Sequence, residues 1–147
     1  MEGKTIGIVA IKGGVGKTTT VINLAYVMAN EFGKKVLVVD GNFSAPNVHL
    51  HLGIAETTNN LHRVLNDEVL VSDAVYHHVF GFDFLPGSAD KVEVNPYKLK
   101  QKLKPLRKKY DVILIDSSPS GMHELRAVML ASDGLFVVTN PDKITLN

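Results

Sequence analysis

The sequence predicts an open, doubly wound α/β sheet, mostly parallel and flanked by helices, carried as one domain over residues 1–147. Three observations predict it. Short apolar runs alternate with helix-length segments along the chain. Several of those runs are continuously apolar rather than alternating, as strands covered on both faces are. The first run leads at once into a glycine-rich turn and a helical stretch. At 147 residues, 45% hydrophobic and 21% charged, the chain has the size of a single domain able to bury a core, and no repeat or low-complexity linker divides it.

In chain order, Thr5 to Ile11 reads as the first strand and Thr18 to about Phe32 as the first helix, with Gly33 supplying the left-handed residue that ends it. Lys35 to Asp40 (K-V-L-V-V-D) is the second strand, apolar throughout and therefore central. Leu61 to Val79 is helix-like, and Phe82 to Leu85 is a shorter strand. Lys98 to Lys109 reads as a helix that Pro105 breaks or bends. Asp111 to Asp116 (D-V-I-L-I-D), Met122 to Ala131 and Gly134 to Thr139 then give strand, helix, strand. In a sheet wound this way, right-handed crossovers bring the carboxyl ends of the strands to one edge, where ligands bind.

Three strand ends carry the candidate site. After the first strand stand Lys12, Gly13, Gly14, Val15, Gly16, Lys17, Thr18 and Thr19. Glycines reach backbone angles that other residues avoid, so successive N–H groups there converge on phosphate oxygens at a helix N-terminus. Lys17 then supplies a point charge to the β- and γ-phosphates, and the Thr18 hydroxyl is placed to ligate Mg²⁺. Val112 to Ile115 followed by Asp116 reads as an acid that holds the metal in register with Thr18. After the second strand come Asp40, Gly41 and Asn42.

The order K-G-G-x-G-K-T-T, with Ile11 where the general phosphate-loop pattern has its first glycine, resembles the deviant Walker A loop of the MinD/ParA family of P-loop NTPases. The resemblance implies an ATPase using ATP and Mg²⁺, in which Lys12 reaches across a nucleotide-sandwich dimer to the partner's phosphates. It also implies Asp40 near the magnesium shell, Ser117 to Gly121 as a switch that responds to the γ-phosphate, and Asn47 as a polar residue facing the dimer partner. The serines and Pro119 serve an ordinary helix-capping turn equally well. Where the family reads D-x-D, this chain has Asn42 in place of the second acid. An amide holds a water but takes no proton, so slow hydrolysis is expected, and a nucleotide-binding regulatory module with little or no turnover is the alternative. A dethiobiotin-synthetase-like ligase shares the loop and sheet, but no acceptor-substrate site is apparent.

The resemblance further implies family members that continue for roughly another hundred residues, which carry the adenine-reading groups; ATP rather than GTP therefore comes from the family alone. With those strands missing, Leu135 to Val138 becomes an exposed apolar edge, and edges recruit another chain. A homodimer is expected, together with a protein partner that stimulates hydrolysis. The family positions cargo in division-site selection or partitioning, on membrane or DNA.

Other features exclude or predict less. Without cysteine the chain has no disulfide and no thiolate metal site, which removes the iron–sulfur relatives of this loop. No apolar stretch approaches the roughly 20 residues of a membrane span and Met1 to Thr5 is no signal peptide, so a cytoplasmic protein is expected, with peripheral membrane contact open. His49 and His51 alternate with Val48, Leu50 and Leu52 as one polar and one buried face; His77 and His78 point apart on a helix. No zinc spacing is completed, and Ser120 and His123 lack a nucleophile-elbow context. Residues 98–109 carry +7, leaving the remainder at −6. A solvated face of an amphipathic helix, with Leu99, Leu103 and Leu106 inward, is favoured there over contact with DNA or anionic lipid.

Overall fold

The structure is a computed structural model that describes residues 1–119 and 121–141. Ser120, inside the expected switch turn, and residues 142–147 lie outside the described residues. The strands are β1 (Lys4–Val9), β2 (Val36–Gly41), β3 (Tyr76–His77), β4 (Asp83–Leu85), β5 (Val112–Ser117) and β6 (Gly134–Val137). The helices are α1 (Lys17–Asn30), α2 (Val48–His51), α3 (Leu61–Leu65), α4 (Leu99–Leu103) and α5 (Met122–Ala131), with 3₁₀ turns at Val71–Ala74, Pro96–Lys98 and Lys104–Lys108. The six strands form one sheet in the order β3-β4-β2-β5-β1-β6. Every neighbouring pair is parallel except β3 with β4.

Side chains alternate across a strand, and that period sorts the core into two layers. Leu37, Val39, Ile113 and Ile115 pack on one face with α3, α4 and α5 through Leu61, Leu65, Leu99, Leu103 and Val128. Val36, Val38 and Leu114 pack on the other with α1 and α2 through Val21, Ala25 and Val48. Each fully buried Leu, Ile or Val contributes about 1.5–3 kcal/mol of transfer free energy, so this two-sided burial explains why β2 and β5 read as continuous apolar runs. The doubly wound, mostly parallel sheet is the one the alternating runs predict.

Several boundaries need correction. β1 stops at Val9, and Ile11, taken as its last residue, is 92% exposed. Gly33 does turn with a positive φ of 61°, two residues after the cap of α1. The single helix expected over Leu61 to Val79 is broken: α3 ends at Leu65, Asp67 takes φ 60°, and the chain then forms a 3₁₀ turn and the antiparallel strand β3. β-branched Val75 follows the 3₁₀ turn in extended backbone and leads into β3. The expected alternation at His49 and His51 is also wrong, because Val48–His51 is helical: His49 is buried with Val48, while Leu50 is 67% exposed. His77 and His78 sit at β3 rather than on a helix; His77 bonds Asp83 while His78 stacks against Phe82.

The basic segment bends as Pro105 requires, passing from α-helix to 3₁₀ turn at Lys104. Leu99, Leu103 and Leu106 are buried as their spacing predicts. Its basic face is partly neutralised: Lys98 and Lys102 both bond Asp67, and Arg107 bonds Asp133.

Candidate functional site

The site forms where the carboxyl ends of β1, β2 and β5 meet. Register pairs Ile8 with Asp116 across β1 and β5, and Asp40 with Asp116 across β2 and β5. Parity places Asp40 and Asp116 on the face that carries α1, with Val38 and Leu114. Both acids are fully buried. The Ser117 hydroxyl donates to Ile8 O at 2.7 Å, which ties the end of β5 to β1.

From β1 the chain enters the glycine-rich loop. Gly14 and Gly16 take φ values of 74° and 84°, which side chains with a Cβ rarely adopt. α1 then starts at Lys17 with no side-chain cap and no acid in its first turn. A helix N-terminus left uncapped, with its amides grouped beside a glycine loop, favours an anion. The loop walls a cavity of about 350 Å³ lined by Lys12 to Thr19, Ala10, Asn42, Asn47, His51 and Pro119.

Beneath the cavity, Thr18 Oγ1 donates to Asp116 Oδ2 at 2.6 Å, and the Lys17 ammonium bonds Asp116 Oδ1 and the Ser117 carbonyl. The loop lysine and hydroxyl, about a hundred residues from Asp116 in sequence, therefore meet it directly. Asp40 stands beside Asp116 and is held by the backbone that follows it. Its Oδ2 accepts from the Asn47 and Val48 amides at 2.9 and 3.0 Å, and Oδ1 from the Asn42 amide at 3.2 Å. It holds α2 against the end of β2 and lies below the lining. Burial pushes its carboxyl up to about 7; the Val48 amide opposes that shift and the neighbouring Asp116 charge adds to it.

Asp40 and Asp116 are neighbours across β2 and β5, and Asp116 meets both the Lys17 ammonium and the Thr18 hydroxyl, an arrangement that a divalent cation would suit. The donors at hand, a threonine hydroxyl and a carboxylate, are the hard oxygens that magnesium takes. Among the described residues no three His, Asp or Glu side chains form a cage of their own. Magnesium needs none, since phosphates and water complete its shell.

The structure thus brings together the predicted Lys12, Gly13, Gly14, Val15, Gly16, Lys17, Thr18, Thr19, Asn42 and Asn47 around the cavity, with Asp116 and Asp40 side by side and buried beneath it. Asn42 faces the cavity while its Oδ1 accepts the Ala45 amide at 3.2 Å. His51 is the residue the sequence reading missed. Its one signal is a spacing of four from Asn47, which a helix turns to the same face.

A family model described as an AAA domain matches residues 3–147. The septum site-determining protein MinD of Thermotoga maritima is 32% identical over 146 residues, covering 95% of this chain and 53% of that protein. The chromosome-partitioning ATPase Soj of Thermus thermophilus is 34% identical over 140 residues, covering 91% of this chain and 53% of that protein. The solved structure of MinD from Pyrococcus horikoshii, complexed with Mg-ADP, matches with a TM-score of 0.90 at 37% identity, over 97% of this chain and 60% of that one. The chain spans about half the length of the curated relatives it matches. With the loop, the buried acid and the strand order in place, these matches show that the chain belongs to the AAA domain family and, within it, to the MinD/ParA-like P-loop ATPases.

Proposed function

We propose that the cavity binds ATP with Mg²⁺, and that the chain acts as a slow ATP-hydrolysing dimerisation switch in division-site selection or partitioning. The observation that carries the reading is the convergence of Lys17 and Thr18 on Asp116 under an uncapped helix N-terminus. The Mg-ADP complex of the Pyrococcus relative supports the ligand. The amides of residues 13–18 receive the phosphates, and the Lys17 ammonium turns from Asp116 to a phosphate oxygen. Thr18 and Asp116 hold the metal, which when bound supplies compensation for the charge on the β- and γ-phosphates. Asn42 orients water without taking its proton. Lys12, at the mouth of the cavity, reaches the phosphates of a second copy.

The same reading includes a protein partner that stimulates hydrolysis and a cytoplasmic location, with the basic segment a solvated face rather than a contact with membrane or DNA. No described helix is long and apolar enough to cross a membrane. A regulatory module that binds nucleotide with little turnover is the second reading, favoured by Asn42, whose carbonyl is already committed to Ala45.

Thermal unfolding with ATP, ADP and GTP, each with and without Mg²⁺, tests the proposal. Nucleotide at 100 times its Kd stabilises by about 2.7 kcal/mol, a shift of several degrees. Lys17→Ala abolishes the shift, whereas Lys12→Ala keeps it and loses ATP-dependent pairing on size exclusion. No shift with any nucleotide refutes the reading; steady-state phosphate release separates the switch from the module.

A further inference from the structure

Asn42 leaves the cavity without the carboxylate that a hydrolytic site would use toward water, yet an imidazole is among the residues that line it. His51 stands on α2, is exposed, and lines the same cavity as Lys12 to Thr19. Asp40 fixes α2 by accepting its first amides, so the position of His51 is set by a buried anchor rather than by a free loop. Asn47 and His51 are one turn apart, and both face the cavity.

The ring also has a backbone contact that favours one tautomer. Nδ1 lies 3.0 Å from the Asn47 carbonyl oxygen. A carbonyl only accepts, so Nδ1 carries the proton and the neutral ring keeps its lone pair on Nε2. A backbone carbonyl that holds Nδ1–H while Nε2 is left as an acceptor is the arrangement that orients a basic histidine.

From this geometry we infer that His51 is a catalytic residue of the ATPase proposed above, accepting the proton of the attacking water through Nε2 in place of the carboxylate absent at Asn42. The inference rests on that nucleotide reading. In the step, the water oxygen forms a bond to the γ-phosphorus and its proton passes to Nε2. The bond from γ-phosphorus to the bridging oxygen breaks, and its electron pair leaves on the β-phosphate. The imidazolium then returns its proton to solvent. The charged side chains that line the cavity with His51 are Lys12 on the loop and Lys17 at the start of α1.

Two measurements test the inference, one without nucleotide. Two-bond ¹H–¹⁵N correlation NMR of the full chain without nucleotide, with His51 assigned by its disappearance in His51→Gln, reads the tautomer at pH 8. The Nδ1–H form is expected, and the Nε2–H form overturns the inference. Steady-state phosphate release is then followed at pH 8 and saturating Mg-ATP. His51→Ala and His51→Gln turn over roughly tenfold more slowly than the wild-type chain, with ATP affinity changed by less than about twofold. Adding Asn42→Asp to His51→Ala restores turnover. If wild-type chain shows no Mg-ATP shift in thermal unfolding, the nucleotide reading itself fails. If His51→Ala binds ATP and keeps its rate, or loses affinity at unchanged turnover, the role of His51 is refuted while nucleotide binding stands.

Discussion

The perturbed carboxyl of Asp40 makes the stability of the nucleotide-free chain depend on pH in an unusual direction. Its ordinary value of 3.8 is pushed up to about 7, first by burial and then by the Asp116 charge, against the pull of three backbone amides. Between about pH 4 and 7 the folded chain therefore holds a proton that the unfolded chain releases. With more protons bound in the folded state, stability falls as pH rises through that window and levels off above it. At 1.36 kcal/mol per pH unit, a shift of this size amounts to about 4 kcal/mol, a large share of the roughly 5–15 kcal/mol that holds a domain together. The assay is urea unfolding of wild-type and Asp40→Asn at intervals from pH 4 to 8. Asparagine leaves one backbone amide facing its NH₂ group, which offsets the variant by a constant amount at every pH. The difference between the two proteins cancels all groups they share, so a wild-type stability that declines by several kcal/mol relative to the variant is expected. A difference that stays flat, or that rises with pH, refutes the account of Asp40.

Other perturbations follow from the packing. A Cβ on Gly41 would lie 2.7 Å from Ile115 Cγ2 and 2.9 Å from the Asp116 carbonyl oxygen, so Gly41→Ala destabilises by about 1–3 kcal/mol and weakens nucleotide affinity with it, read by urea unfolding and calorimetric titration. Asp67 is held down to about 2 by hydrogen bonds from Lys102 and Lys98; Asp67→Asn lowers the melting temperature above pH 4, less so in high salt, and the deficit disappears as pH falls through 2. Phe82 is 1% exposed and stacks on His78 with ring centroids 5.7 Å apart, so Phe82→Ala loses about 3–5 kcal/mol in urea unfolding without altering nucleotide affinity. Unchanged stability in Phe82→Ala would show that the β3–β4 turn is not part of the cooperative core.

Legibility differed from segment to segment for physical reasons. β2 and β5 announce themselves because a strand buried on both faces must be apolar at every position, which few other elements share. The loop and α1 were equally readable, since the phosphate-binding geometry needs glycine at particular positions and a helix directly after them. The Leu61 to Val79 stretch misled because short apolar runs fit either period, and its outcome turned on Asp67 adopting a left-handed turn. α2 misled for a related reason. Four residues carry too little periodicity to separate a helical turn from a strand, and what holds the turn is Asp40, a side chain from the preceding strand.

By itself the sequence determined the chemistry available to this protein: the glycine turn, the two lysines and the threonine beside it, the acids at two strand ends, and the amide at Asn42 where the MinD/ParA pattern has an acid. These follow from residue identity over a few neighbouring positions. Only the tertiary structure decided that Asp116 receives both Lys17 and Thr18, that Asp40 anchors α2 from beneath the cavity, and that His51 faces the phosphate loop. Those arrangements depend on strand order and on a register in which a slip of one residue would turn Asp116 to the opposite face of the sheet. Register is settled by which apolar faces are buried together across the whole sheet, so no local stretch of the chain contains it.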